Sequence, residues 1–285
     1  MKSANVKCFS KGYEDNFYHF VVQQLHGLRL YSLDNNYEKL NFYYDGPYTK
    51  IVKEIPFLNL FTKSEEPADC VVVKPIGTLD RDKKRKCKLV THSNYLKDLF
   101  LSKITKNNSK HVLIAQRANN RIIKNDDELF LELKKFGDTR IVTLDSLSFM
   151  AQIEAIYNSK IIISAHGAGL THMLFASPGT IFIEVYSKGF HGHYPYKDMA
   201  RILDLRWDYV EAYYSSSEFY SKEDLSFIAS YKTESSGKIP ANVLLSPKHR
   251  RLRQLIRDPR YIKCSVKEVR DKINNLNLSK PGFKM

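Results

Sequence analysis

The stretch 161–185, IIISAHGAGLTHMLFASPGTIFIEV, decides the fold. A strand over 161–164 enters a turn in which Gly167 and Gly169 stand one residue apart. A short helix over 169–177 follows, then a second apolar strand over 178–186 that carries one carboxylate, Glu184. Strand, turn, helix and strand in this order are the repeating unit of a parallel α/β sheet. Glycines let the backbone pass close to a phosphate, and N–H groups opening the helix favour an anion. The same arrangement also serves as a plain connection. The dinucleotide pattern GxGxxG fails here, because His172 occupies its third glycine position.

Working outward, the alternation continues upstream. HVLIAQ (111–116) reads as a buried parallel strand. In the helix that follows, Asn125 and Glu128 form a capping-box pattern, Leu129, Leu133 and Phe136 make the buried stripe, and Gly137 ends it. TRIVTLD (139–145) is the next strand and 147–160 the next helix, with Phe149, Ile153 and Ile156 on one face. A doubly wound parallel sheet is expected, and its ligands bind outside the carboxyl ends of the strands. Arg117 and Arg121 follow the first strand, the AHGAGL turn follows the third, and Glu184 lies near the end of the fourth. The three features combine cations, an anion cradle and a ribose acceptor. The first hundred residues are less regular. A helix is expected over 17–31 from Phe17, Phe20, Val21, Gln24, Leu25 and Leu28, strands over 40–45 and 70–74, and a helix over 94–104.

Composition narrows the classes. The chain has 285 residues, 43% hydrophobic and 27% charged, which excludes wholesale disorder. Its longest apolar runs are too short to span a bilayer, and residues 1–20 lack an apolar signal core, so a soluble cytoplasmic protein is expected. Four dispersed cysteines without a CxxC unit argue against zinc or a disulfide framework. The net charge of +14 suits nucleic acid, an anionic membrane face or an anionic small substrate. No nucleic-acid module accompanies it, so no specific nucleic-acid binding is expected. RDKKRK (81–86) reads as an exposed loop and KHRRLRQLIRD (248–258) as a solvated basic face. Asp80 and Asp82 form a DxD beside a lysine run, and His191 and His193 lack a third ligand, so neither predicts a metal site.

The wording of the central segment closely resembles the signature of the family 61 glycosyltransferases, HGAGLTN-LF-PPG-VVEL. RANNRIIKNDDEL is similar to that family's R-x-x-R-x-I-x-N-E-x-E-L, and NFYHFVVQQLHGL (16–28) to its N-Y-Y-H-W-L-x-E-x-L-P-R-L. YKDMARILDLRWDYV and YIKCSVKEVRDKI resemble its later segments, so the likeness spans about residues 13–275. The resemblance implies an α/β GT-B-like architecture of two Rossmann-like halves, the N-terminal one short. The expected division is 1–105 for the acceptor side, 106–245 for the nucleotide-sugar side and 246–285 for a C-terminal helical segment.

It also implies an inverting transfer of xylose or N-acetylglucosamine from a UDP-sugar to a glycan, glycolipid or protein. Arg117 and Arg121 would contact the diphosphate, and His166, Gly167, Ala168, Gly169, Leu170 and Thr171 would cradle it. Glu184 would hold ribose. Protein dipoles and cations can neutralise a leaving diphosphate, so no metal or other cofactor is expected. The acceptor's proton needs a base, for which His19 is the first candidate, with Asp15 and Glu14 beside it. A histidine packed structurally is the competing reading of His19. The segment departs from the family at His172, where Asn is common, at Phe20 for Trp and at Gly27 for Pro. Peripheral association with an anionic membrane fits the basic surface. An NAD-linked oxidoreductase and a non-catalytic basic binding protein are the alternatives from other classes.

Overall fold

The computed structural model describes residues 2–8, 17, 19–62, 65–67, 69–73, 83–107, 109–187, 195–212, 221–230, 251, 255 and 259–278. Asp15, the DxD at 80–82, His191 and His193, and most of 248–258 lie outside these residues. The chain divides into two compact units, Met1–Ser102 and Lys103–Met285.

The first unit is built on four parallel strands, β1 (Ser3–Cys8), β2 (Lys39–Tyr43), β3 (Leu58–Phe61) and β4 (Val71–Val73). Their order is β3-β2-β1-β4. Val6, Leu40, Phe42 and Leu58 are buried on one face of the sheet. On the opposite face Asn5, Asn41 and Asn59 stand in register across three strands. Asn41 Nδ2 donates to Asn5 Oδ1 at 3.0 Å and Asn59 Nδ2 to Asn41 Oδ1 at 3.1 Å. A one-residue slip would break this row and expose the apolar set, so the amides fix the register.

The helix expected over 17–31 begins as a π-helix, His19–Leu25, and becomes α1 (His26–Asp34) only afterwards. Phe20, Val21, Leu25 and Leu28 of this segment are buried. α2 (Thr49–Lys53) and α3 (Lys83–Phe100) complete the unit. Lys83–Lys86 therefore open a helix, not the expected loop. Lysine, arginine and leucine are good helix formers, and that preference extends the helix through the basic run. His26 and His92 stack inside the unit with centroids 4.6 Å apart and planes 9° apart.

The second unit holds a five-stranded parallel sheet of β5 (His111–Gln116), β7 (Thr139–Thr143), β8 (Ser159–Ala165), β9 (Ile181–Tyr186) and β10 (Arg206–Glu211). The order is β10-β9-β8-β5-β7. Read from the other edge this is the 2-1-3-4-5 order of doubly wound folds, with the switch point between β5 and β8. Val112, Ile114, Ile163, Ile183 and Val210 form one buried face. They pack with Leu129 and Leu133 of α4 (Asp126–Leu133) and with Val269 and Ile273 of the C-terminal helix Val266–Leu278. The alternate residues Leu113, Ile162, Phe182 and Glu184 are buried on the other face. α5 (Phe149–Tyr157) and α6 (Pro195–Ile202) accompany this sheet, and a further helix covers Lys222–Ser230.

Two short strands that no periodicity signals, β6 (Ile122–Ile123) and β11 (Tyr261–Ile262), pair in parallel. They bring the C-terminal segment back beside α4. Asn125 does not form the expected capping box, since its side chain makes no cap bond. Its Nδ2 instead donates to the Cys264 carbonyl at 2.8 Å and its Oδ1 accepts from the Cys264 N–H at 3.2 Å. Both groups are buried, and a buried backbone amide needs a partner more than an exposed helix end does.

Candidate functional site

The carboxyl ends of β5 and β8 flank the switch point, and the turns that leave them touch. The Arg117 guanidinium lies against Gly167, where a Cβ would stand 1.9 Å from Nη1 and 2.9 Å from Cζ. Gly167 has extended backbone (φ 160°, ψ 175°). Glycine is therefore required by the close approach of the arginine and not by an unusual dihedral. The next residues, Ala168–Phe175, form a 3-10 helix where a short helix was expected. His172 Nδ1 donates to the Gly169 carbonyl at 2.9 Å and closes its first turn. In an α-helix that carbonyl would face the amide four residues on, so the imidazole favours the tighter winding. Burial holds the His172 ring at a pKa of about 4, although the Gly169 bond opposes the shift. This ring is a neutral structural brace.

The loop carrying both arginines is fixed at several points. Gln116 mimics a strand partner, donating from Nε2 to the Ile123 carbonyl at 2.7 Å and accepting the Ile123 N–H at 3.0 Å. Arg117 Nε donates to Asn120 Oδ1 at 3.0 Å, and the Ala118 N–H to Asp145 Oδ2 at 3.1 Å. Asp145 follows β7. Arg121 takes the left-handed conformation, φ 54°, and its N–H donates to the Pro259 carbonyl at 2.6 Å. That strained backbone costs about 1 kcal/mol and is held by the returning C-terminal segment. Arg121 is buried beside the β6–β11 pair.

Of the turn residues, His166, Ala168 and Gly169 are partly exposed, while Leu170 and Thr171 are buried. The side chains of Leu170 and Thr171 are therefore withdrawn from a ligand at the turn. Glu184 is fully buried, and both of its oxygens are engaged. Oε1 meets His166 Nδ1 at 2.5 Å and Oε2 accepts from Trp207 Nε1 at 2.9 Å. The His166 ring stacks on Tyr186 at 4.9 Å and meets the edge of Tyr196 at 5.6 Å. In-register strands explain the cluster, since Ser164 lies opposite Glu184 and Glu184 opposite Tyr209. Residues 166, 184 and 207 so project from one face of three neighbouring strands.

Sequence reading thus named Arg117, the glycines, His166 and Glu184, and the structure brings Arg117 to Gly167 and His166 to Glu184. It missed Asn120, Asp145 and Trp207. Trp207 carried a signal, being the chain's single tryptophan. Asp145 ends a predicted strand on the ligand-binding side. His19 lies on the π-helix of the first unit, and Asp15 falls outside the described residues. Among the described residues no group of three or more His, Cys, Asp or Glu could hold a metal ion. Among them also, no helix is long and apolar enough to cross a membrane.

Comparison with known proteins gives this geometry a context. Residues 17–183 match the Glycosyltransferase 61 family profile. An EGF domain-specific O-linked N-acetylglucosamine transferase of Drosophila melanogaster is 32% identical over 115 residues, 39% of this chain and 22% of that protein. A protein O-linked-mannose beta-1,4-N-acetylglucosaminyltransferase 2 of Mus musculus is 31% identical over 105 residues, 35% of this chain and 18% of that protein. A xylan glycosyltransferase of Arabidopsis thaliana is 30% identical over 115 residues, 39% of this chain and 23% of that protein. The shared segments span less than a quarter of each relative. With a family match that runs from the π-helix of the first unit to β9 of the second, the chain belongs to the glycosyltransferase 61 family.

Proposed function

We propose that the protein is an inverting glycosyltransferase of GT-B type that takes a UDP-sugar as donor. The observation that carries the reading is Arg117 lying on Gly167 at the switch point, where the N–H groups opening the 3-10 helix and a guanidinium converge. Such a site stabilises the negative charge that develops on a departing diphosphate. Relatives named as N-acetylglucosaminyltransferases and a xylan glycosyltransferase support N-acetylglucosamine or xylose as the sugar. The acceptor is a glycan, glycolipid or protein. The charge of +14 fits a phosphorylated or membrane-bound acceptor. Charge neutralisation rests on protein groups, so turnover is expected to persist in EDTA.

Inversion requires one displacement at the anomeric carbon, with a base removing the acceptor proton. His19 is proposed for that role, with Asp15 as its neighbour. The reading is tested by calorimetric titration of UDP and by turnover of UDP-xylose and UDP-N-acetylglucosamine. Arg117→Ala is expected to weaken UDP binding by about 10- to 150-fold, the loss of one charged hydrogen bond. His19→Ala is expected to retain UDP binding and lose turnover. A chain that binds NADH in preference to UDP would sink the proposal in favour of an oxidoreductase.

A further inference from the structure

A carboxylate near a strand end invites assignment to ribose, but Glu184 is fully buried and its two oxygens are occupied by His166 and Trp207. The His166 side chain, by contrast, is 13% exposed, at the start of the turn that carries Gly167 and Gly169. We infer that Glu184 is a positioning residue that holds His166 as an imidazolium, and that this ring is a second cation for the donor diphosphate beside Arg117. The inference rests on the nucleotide-sugar reading above and assigns Glu184 no contact with the nucleotide.

Three observations carry it. The 2.5 Å contact fixes a proton on Nδ1, so the second proton of the charged ring sits on Nε2. A buried carboxylate favours a charged partner, because an isolated charge in the interior is costly. The Trp207 indole N–H satisfies the other oxygen and prevents the carboxylate from turning away. The ring itself stacks on Tyr186 and meets Tyr196 edge-on. The charged or titratable groups around it include Glu184 and Tyr186 of β9, Tyr196 of α6, and Arg117 over the neighbouring Gly167. Lys197 and Tyr209 flank Trp207 one layer further out.

The sign follows directly. Anion binding through His166 is fully present while the ring is charged and falls as rising pH removes its proton. Taking away the Glu184 charge moves that loss to lower pH. A ribose contact would instead change the preference for UDP over inorganic pyrophosphate and leave the pH profile alone.

The test titrates wild type, Glu184→Gln, His166→Gln and the double variant with UDP and with inorganic pyrophosphate. Glu184→Gln is expected to weaken both ligands equally, with a larger loss at pH 8 than at pH 5.5. In the His166→Gln background it is expected to cost neither ligand anything further. Weaker UDP binding with unchanged pyrophosphate binding would overturn the inference and restore the ribose role. Should Glu184→Gln not fold, His166→Gln decides, since unchanged pyrophosphate affinity at pH 7 refutes the proposal. If wild type binds neither ligand, the nucleotide-sugar reading itself has failed.

Discussion

Replacing Gly167 by alanine separates the close approach from the general stability of the turn. The added methyl would stand 1.9 Å from Arg117 Nη1, well inside any real contact, and its other near neighbours belong to the same guanidinium. The backbone at Gly167 is extended and accepts any residue. The clash is therefore with the far end of a flexible side chain, so the arginine moves and the turn stays. Moving it breaks the bond from Arg117 Nε to Asn120 Oδ1 and withdraws the guanidinium from the turn. The displaced guanidinium forfeits its charged hydrogen bond to the diphosphate, which contributes about 1.5–3 kcal/mol and corresponds to about 10- to 150-fold in UDP affinity.

Calorimetric titration of UDP measures the affinity, and urea denaturation checks that folding changes by less than about 1 kcal/mol, as is usual where no core contact is lost. The decisive control is the double variant. If Gly167 acts through Arg117, adding Gly167→Ala to Arg117→Ala costs nothing more. A further loss of the same size in that background would refute the reasoning, as would wild-type UDP affinity in the single variant.

Asn125→Ala is expected to destabilise the second unit by roughly 2–4 kcal/mol, because it leaves a buried N–H and carbonyl of Cys264 unpaired; the urea midpoint reads this. His172, with its folded pKa lowered to about 4, contributes stability that is fully present above its unfolded value of about 6.5 and is lost as pH falls toward 4. His172→Asn is expected to flatten that slope in denaturation curves taken between those pH values, and an unchanged slope would place the acid sensitivity elsewhere.

The second unit was legible because its strands are continuous apolar runs between helices with a clear stripe. HVLIAQ and IIIS match β5 and β8 closely, since a strand buried on both faces needs no alternation. The strand β1, SANVKC, escaped notice because one of its faces carries Asn5 and Lys7, which read as polar loop. β6 and β11 are two residues each, too short for any period. Asn125 illustrates a different limit. Its sequence pattern is a helix cap, but the competing acceptor lies at Cys264, far along the chain. The candidate site divides the same way. Glycines and arginines at strand ends are visible in the sequence, whereas the engagement of Glu184 by His166 and Trp207 depends on strand register, which only the folded sheet supplies.

The pairing of β6 with β11 also sets an order of events during synthesis. The backbone of Arg121 is held by Pro259, and α4 is covered by the helix Val266–Leu278, so the arginine loop is completed by residues made last in this unit. Contacts of such sequence separation form late, after local structure has condensed. A ribosome-bound chain that has exposed only residues up to 250 is therefore expected to hold its five-stranded sheet yet bind no UDP, and to acquire the ligand once the C-terminal helix emerges. Nucleotide capture by stalled chains of increasing length would follow that step directly. The nascent chain would thus capture no nucleotide until almost the whole unit had been translated.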